Sequence, residues 1–60
     1  MEFVLFKDNI GEHRWKLLAA NNKVIASSGE GYHAKADCIH GINLVRDCFK
    51  APVREIDLTD

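Results

Sequence analysis

His13-Arg14-Trp15-Lys16-Leu17-Leu18-Ala19-Ala20-Asn21-Asn22-Lys23-Val24-Ile25-Ala26-Ser27-Ser28 is the stretch that decides the fold. Its first half alternates, with Trp15, Leu17 and Ala19 on one side of an extended chain and Arg14, Lys16 and Leu18 on the other. That two-residue period belongs to a strand with one buried face. Asn21-Asn22 suits a two-residue hairpin, because asparagine tolerates positive φ better than other non-glycine residues. Lys23 to Ser28 then returns as the next strand. Pairing Ala20 with Lys23 sets Ala19 opposite Val24, Leu18 opposite Ile25 and Leu17 opposite Ala26. The expected core face is Trp15, Leu17, Ala19, Val24 and Ala26, and the other face carries Arg14, Lys16, Leu18, Ile25 and Ser27. A slip of one residue would bury Arg14 and Lys16, so the apolar pattern defends this register.

Working outward, Phe3 to Asp8 reads as a further strand, with Phe3 and Leu5 on one side and Val4 and Phe6 on the other. Asp8 to Glu12 is a turn rich in residues that take unusual backbone angles. After the hairpin, Gly29-Glu30-Gly31-Tyr32 leads into a helix expected from about Ala34 to Phe49. Cys38, Ile42, Val45 and Phe49 recur at i, i+4, i+7 and i+11 and make one apolar stripe, while Lys35, Asn43, Arg46 and Lys50 lie away from it. Gly41 faces the stripe at a cost of about 1 kcal/mol relative to alanine, which points to close backbone approach to the sheet. Ala51-Pro52 stops the helix, and Val53 to Leu58 is a last extended segment.

The order is β-β-β-α-β, an α+β unit in which an antiparallel sheet carries one helix on one face, and residues 1–60 form a single domain. The link Lys50-Ala51-Pro52 is short for doubling back beside the meander. The alternative is pairing with the sheet of a second copy, with Pro52 as hinge and Val53, Arg54, Ile56 and Leu58 as the exchanged residues.

Composition narrows the function classes. Eight Lys+Arg against nine Asp+Glu give a net charge of −1, with 47% hydrophobic and 28% charged residues, which is globular rather than disordered. No apolar run approaches the roughly 18 residues of a membrane span. The start, Met1-Glu2-Phe3-Val4, places an acid where a signal peptide carries its basic segment, so a cytoplasmic location is expected. Sixty residues bury only about 60% of their unfolded surface, and such domains add a disulfide, a metal or a partner. In an unbroken helix Cys38 and Cys48 would lie roughly 15 Å apart, too far for a disulfide. Cys38-x-His40 alone has too few ligands for structural zinc, so no cofactor is expected. Oligomerisation is left as the staple.

Gly11-Glu12-His13-Arg14-Trp15-Lys16-Leu17, Ala19-Ala20-Asn21-Asn22, Val24-Ile25-Ala26-Ser27-Ser28-Gly29-Glu30-Gly31-Tyr32, Lys35 and Gly41-Ile42 together resemble the YegP-like family of small uncharacterised proteins. The Ser-Gly-Glu-Gly-Tyr-x-x-Lys run is the most specific part. The resemblance implies a β(3)-α-β unit, found as tandem repeats or as two subunits. The two copies build one antiparallel sheet and exchange their C-terminal strands. With a single unit here, it implies a strand-swapped homodimer. The chain departs from the family pattern at His13, where an aromatic is favoured, and at Leu18, where a basic residue is common. Asn22 stands for the usual turn glycine, and His33 or Ala34 for a Ser/Thr helix start. The family brings no activity with it.

Several constellations invite a sharper reading. Gly29-Glu30-Gly31 before a helix suggests a phosphate cradle, but Glu30 puts a negative charge there and no nucleotide-binding spacing is present. Arg14 and Lys16 around Trp15 resemble a strand for single-stranded nucleic acid, yet Trp15 points away from both cations and the net charge supplies no footprint. His33, Asp37 and His40 share a helix side with chemistry suited to Zn²⁺, against the plainer reading of a polar face. Cys38 in the apolar stripe is an inert thiol rather than a nucleophile. No catalytic residues stand out and the residues lean away from an enzyme. The leading expectation is a non-enzymatic homodimeric binding or interaction module. One alternative is a small-molecule or anion-binding protein using Arg14 and Lys16 on the outer sheet face or the dimer seam. The other is a weak single-stranded nucleic-acid binder.

Overall fold

The computed structural model describes residues 1–58. Strands β1 (Glu2–Lys7), β2 (His13–Leu18) and β3 (Val24–Ser27) form an antiparallel sheet in the order β1-β2-β3, and helix α1 (Lys35–Arg46) packs on β2 across one face. This is the expected α+β unit of meander and helix.

The first hairpin sets Phe3 opposite Leu17 and Leu5 opposite Trp15, so one side of β1 and β2 is apolar throughout. Burial follows that side. Trp15, Cys38 and Ile42 form the buried centre, and Phe3, Leu5, Leu17, Ala26, Tyr32 and Val45 pack around it. The Phe3 ring meets Trp15 edge-on, with centroids 5.5 Å apart and planes at 71°, the geometry in which a positive ring edge meets a negative face.

The second hairpin differs from the expected register in an instructive way. Ala19 N–H donates to the Lys23 carbonyl at 2.8 Å and Asn22 N–H to the Ala19 carbonyl at 2.9 Å, so the loop has three residues, Ala20 to Asn22. Asn22 takes the positive φ, +67°, and the Asn21 side-chain oxygen accepts from Lys23 N–H at 3.2 Å. A turn followed by one left-handed residue is the common three-residue hairpin loop. It shifts Val24 opposite Leu18, and a bulge at Ile25 restores Leu17 opposite Ala26. The Leu17–Ala26 pair stands as expected, whereas the Ala19–Val24 and Leu18–Ile25 pairs are corrected. Val24 moves from the expected core face to the side of Leu18 and is 58% exposed.

Beyond β3 the chain rejoins the sheet once more. Tyr32 and His13 exchange both backbone hydrogen bonds at 2.8 Å, an isolated bridge that prolongs the pairing of β2. Ser28 N–H donates to the Trp15 carbonyl at 2.9 Å, and between these two anchors Gly29, at φ +74°, loops outward.

Helix α1 begins after Ala34, whose side chain cannot cap it, and closes at Arg46. Cys48 N–H bonds back to the Val45 carbonyl at 3.3 Å and Ala51 N–H to the Cys48 carbonyl at 2.8 Å, tightening the chain into turns. The expected helical end at Phe49 is therefore corrected. Cys38, Ile42 and Val45 keep their places in the stripe, but Phe49 lies outside the helix and is 82% exposed. Gly41 faces inward as expected, since a Cβ there would lie 3.2 Å from the Tyr32 hydroxyl and 3.4 Å from Trp15 Nε1.

Residues 53–58, expected to extend as a strand, pair with no strand among the described residues of the single chain, and every residue from 51 to 58 is exposed. The radius of gyration, 13.7 Å, exceeds the roughly 10 Å of a compact chain of this length, as an arm projecting from the body requires. No helix among the described residues is long and apolar enough to cross a membrane.

Candidate interaction site

Two surfaces hold the residues singled out from the sequence, and the loop before the helix holds a third group. On the sheet face opposite α1, Arg14 stands across from Phe6 and Lys16 across from Val4. Arg14 is already engaged. Its Nε donates to Asp8 Oδ2 at 2.7 Å, while Asp8 Oδ1 accepts the backbone N–H groups of Ile10 at 3.0 Å and Glu12 at 2.9 Å. One carboxylate thus ties the β1–β2 loop to the sheet. The Arg14 hydrogen bond, with the loop N–H groups adding to it, holds the Asp8 carboxyl below its ordinary range, and Asp8 pushes Arg14 up in return. Lys16 sets its ammonium 5.5 Å from the centre of the Phe6 ring, a cation–π contact on an open face. Arg14 and Lys16 do share this outer face, one of them neutralised by an internal acid.

The loop before α1 is occupied with closing the fold. Ser28 Oγ donates to the Glu30 carbonyl at 2.8 Å, and Gly31 passes so close to Glu12 that a Cβ there would fall 2.8 Å from the Glu12 Cβ. Glycine is required for this approach. Tyr32 packs at the edge of the core, where burial, with Glu30 nearby, raises its hydroxyl. Burial also pushes the Cys38 thiol up, the environment of an inert cysteine, and both cysteines are free. Trp15 Nε1 is buried with no hydrogen-bond partner among the described residues.

His33, Asp37 and His40 do not share one side of the helix. His33 precedes α1, is almost fully exposed and lies 3.6 Å from Glu12, while Asp37 and His40 are exposed on the helix itself. Among the described residues no three His, Cys, Asp or Glu side chains are grouped so as to hold a metal ion.

A feature absent from the sequence reading sits where the helix ends. The last turn of α1 meets the sheet at Phe3 and Leu17. Met1, Phe3, Leu17, Val45, Arg46 and Phe49 line an open groove of about 310 Å³ there. Its lining is apolar apart from Arg46, whose guanidinium lies 5.8 Å from the centre of the Phe3 ring. Arg46 makes no ion pair among the described residues. The signal in the sequence is the apolar pair Phe3 and Leu17, which faces the last turn of the helix at Val45 and Arg46. Pro52 to Leu58, the residues expected to exchange between copies, leave the body from this same end, three residues beyond Phe49.

Comparison with known proteins places the chain in a family. Residues 8–55 match the family described as a domain of unknown function, DUF1508. A UPF0339 protein of Neisseria meningitidis serogroup B is 46% identical over 57 residues, covering 93% of this chain and all of that protein. A UPF0339 protein of Agrobacterium fabrum is 40% identical over 58 residues, covering 97% of this chain and 90% of that one. The solution structure of a protein from Haloferax volcanii superposes with a TM-score of 0.81 at 38% identity, covering 92% of this chain and 93% of that one. The chain therefore belongs to the DUF1508 family, the UPF0339 or YegP-like group of small uncharacterised proteins, over nearly its whole length.

Proposed function

We propose that this protein is a non-enzymatic homodimeric interaction module, cytoplasmic as its free thiols suggest, in which each copy lends its C-terminal arm to the other. The observation that carries the reading is the arm itself. Val53 is 97% exposed, Ile56 58% and Leu58 83%, three apolar side chains on one short segment that pairs with no strand among the described residues of its own chain. An isolated apolar arm is costly in water, and covering it on a second copy removes that cost twice over in a two-fold pair. Size supports the same conclusion, since the described residues include only three that are buried, a small core for a domain of this length. An anion-binding role through Arg14 and Lys16 has less support, because Arg14 already meets Asp8.

Sedimentation equilibrium from low to high micromolar concentration tests the reading, with a chain lacking residues 53–60 as comparison. The full chain should be dimeric and the shortened one should not. A full chain that is monomeric at high micromolar concentration overturns the dimer. A shortened chain that dimerises as tightly as the full one overturns the exchange.

A further inference from the structure

We propose that the groove at the end of α1 binds a small amphipathic carboxylate, a short acyl or aryl chain bearing one acid group, with the chain on Phe3, Leu17 and Val45 and the acid on Arg46. This site goes beyond the dimer reading and does not need it, since no residue from 52 to 58 lines the groove. Small-molecule sites are concave and mostly apolar, with few polar groups, in volumes from about 300 Å³ upward. At about 310 Å³, with five apolar side chains around one guanidinium, the groove stands at the small end of that class. Its charges select the head group. No aspartate or glutamate lines it, and both of its aromatic walls carry a cation. Arg46 lies 5.8 Å from the centre of the Phe3 ring, and the Lys50 ammonium lies 5.7 Å from that of Phe49. Arg14 is already bonded to Asp8 at 2.7 Å, whereas Arg46 makes no ion pair among the described residues. A guanidinium meets a carboxylate through two parallel N–H donors, a fork that an ammonium lacks. Contact with the Phe3 ring keeps that fork beside the apolar floor, so an acid seated on Arg46 lays its chain along Phe3, Leu17 and Val45. A cationic head would meet two like charges with no acid to offset them.

Amide NMR shifts of the full chain, titrated with octanoate below its micelle-forming concentration, test the site. The shifts should cluster at Phe3, Leu17, Val45, Arg46 and Phe49. Octanoate should bind roughly tenfold more tightly than hexanoate, because two further methylenes leave water. Octylammonium should bind roughly tenfold or more weakly than octanoate. Arg46→Gln should weaken octanoate about tenfold and leave octanol within about twofold, since only the acid uses the guanidinium. Phe49→Ala should weaken octanoate and octanol alike, because it strips one apolar wall. Both positions are exposed, so circular dichroism should show both variants folded. Shifts spread over the whole molecule, or none at millimolar octanoate, would overturn the site. Octylammonium binding as tightly as octanoate, or an Arg46→Gln loss shared equally by octanol, would overturn the pairing of acid with Arg46. Sedimentation reads the oligomeric state separately. A dimer without octanoate shifts would remove the ligand and leave the module reading intact, and a monomer that binds octanoate at the groove would do the reverse.

Discussion

Gly41 of the helix and Trp15 of the central strand meet so closely that a single carbon added to Gly41 would stand 3.4 Å from the indole nitrogen, with the Tyr32 hydroxyl 3.2 Å from the same point. The mid-helix glycine lets α1 lie down on the sheet. Its conformational cost of about 1 kcal/mol is offset by the packing of Trp15, which a raised helix would lose.

Substitutions at position 41 should therefore separate two opposing terms. Gly41→Ala gains helix propensity of about 1 kcal/mol and asks the Tyr32 side chain to yield by a few tenths of an ångström, so its net change should stay within about 1 kcal/mol. Gly41→Val forces branched carbons into the same space and should lose about 1–3 kcal/mol. Urea unfolding followed by tryptophan fluorescence reads both. A Gly41→Val chain as stable as the wild type would mean that helix and sheet can part without cost.

Core truncations should follow the observed burial. Ile42→Ala removes volume from the buried centre and should lose about 2–4 kcal/mol, whereas Val24→Ala on the outer side should stay within about 0.5 kcal/mol. Leu17→Ala and Val45→Ala, both partly buried, should fall between these limits. Equal losses at Ile42 and Val24 would contradict the bulge and return Val24 to the core face.

Acid stability should depend on Asp8. Its carboxyl is held below its ordinary range in the folded chain by Arg14 and the loop N–H groups. A group whose folded pKa is depressed stabilises above its unfolded value and loses that contribution as pH falls through the folded one. The stability linked to Asp8 is thus intact above about pH 4 and fades in more acid solution. Asp8→Asn keeps a side-chain oxygen for the loop and removes the titration. Its urea midpoint should fall less steeply below pH 4 than that of the wild type. Parallel acid limbs would show that the Asp8–Arg14 contact carries no linkage.

The two thiols should react at very different rates. Cys38 is wholly buried and its thiol is raised by burial, while Cys48 is exposed at the turn after the helix. Ellman's reagent should label one thiol rapidly in the native protein and two after denaturation, and Cys48→Ser should abolish the rapid phase. Rapid labelling of Cys38 would mean that the core opens readily.

The helix-facing side is readable from the sequence because Trp15, Leu17 and Ala26 alternate without interruption, and the Leu17–Ala26 pair follows from it. The turn is where the reading departs from the molecule. Asn21-Asn22 looks like a two-residue loop, yet the left-handed angle falls on Asn22 alone, and the extra loop residue is taken back one step later at Ile25. Counting residues between Leu17 and Ala26 cannot distinguish the two solutions, because both give the same pair. The helix end departs for a different reason. Phe49 keeps the spacing of the apolar stripe, but periodicity says nothing about where backbone hydrogen bonding stops, and the turns at Cys48 and Ala51 end it earlier. The Asp8–Arg14 tie joins a loop to a strand across six residues, where neither helical nor strand periodicity applies. The groove escapes the sequence because its lining comes from Met1 and Phe3, Leu17, and Val45 to Phe49, segments that only the fold brings together.

The bulge at Ile25 has a consequence for how far the sheet can grow. It bends and twists a strand of only four residues, so the rim at β3 offers poor geometry to an approaching chain. The rim at β1 is different, with six residues in regular register and no interruption. The molecule therefore has one adhesive margin and one blunted margin. One bulged rim is enough to interrupt the endless edge-to-edge stacking by which small β-rich chains turn into fibres, because each added copy would need two regular margins.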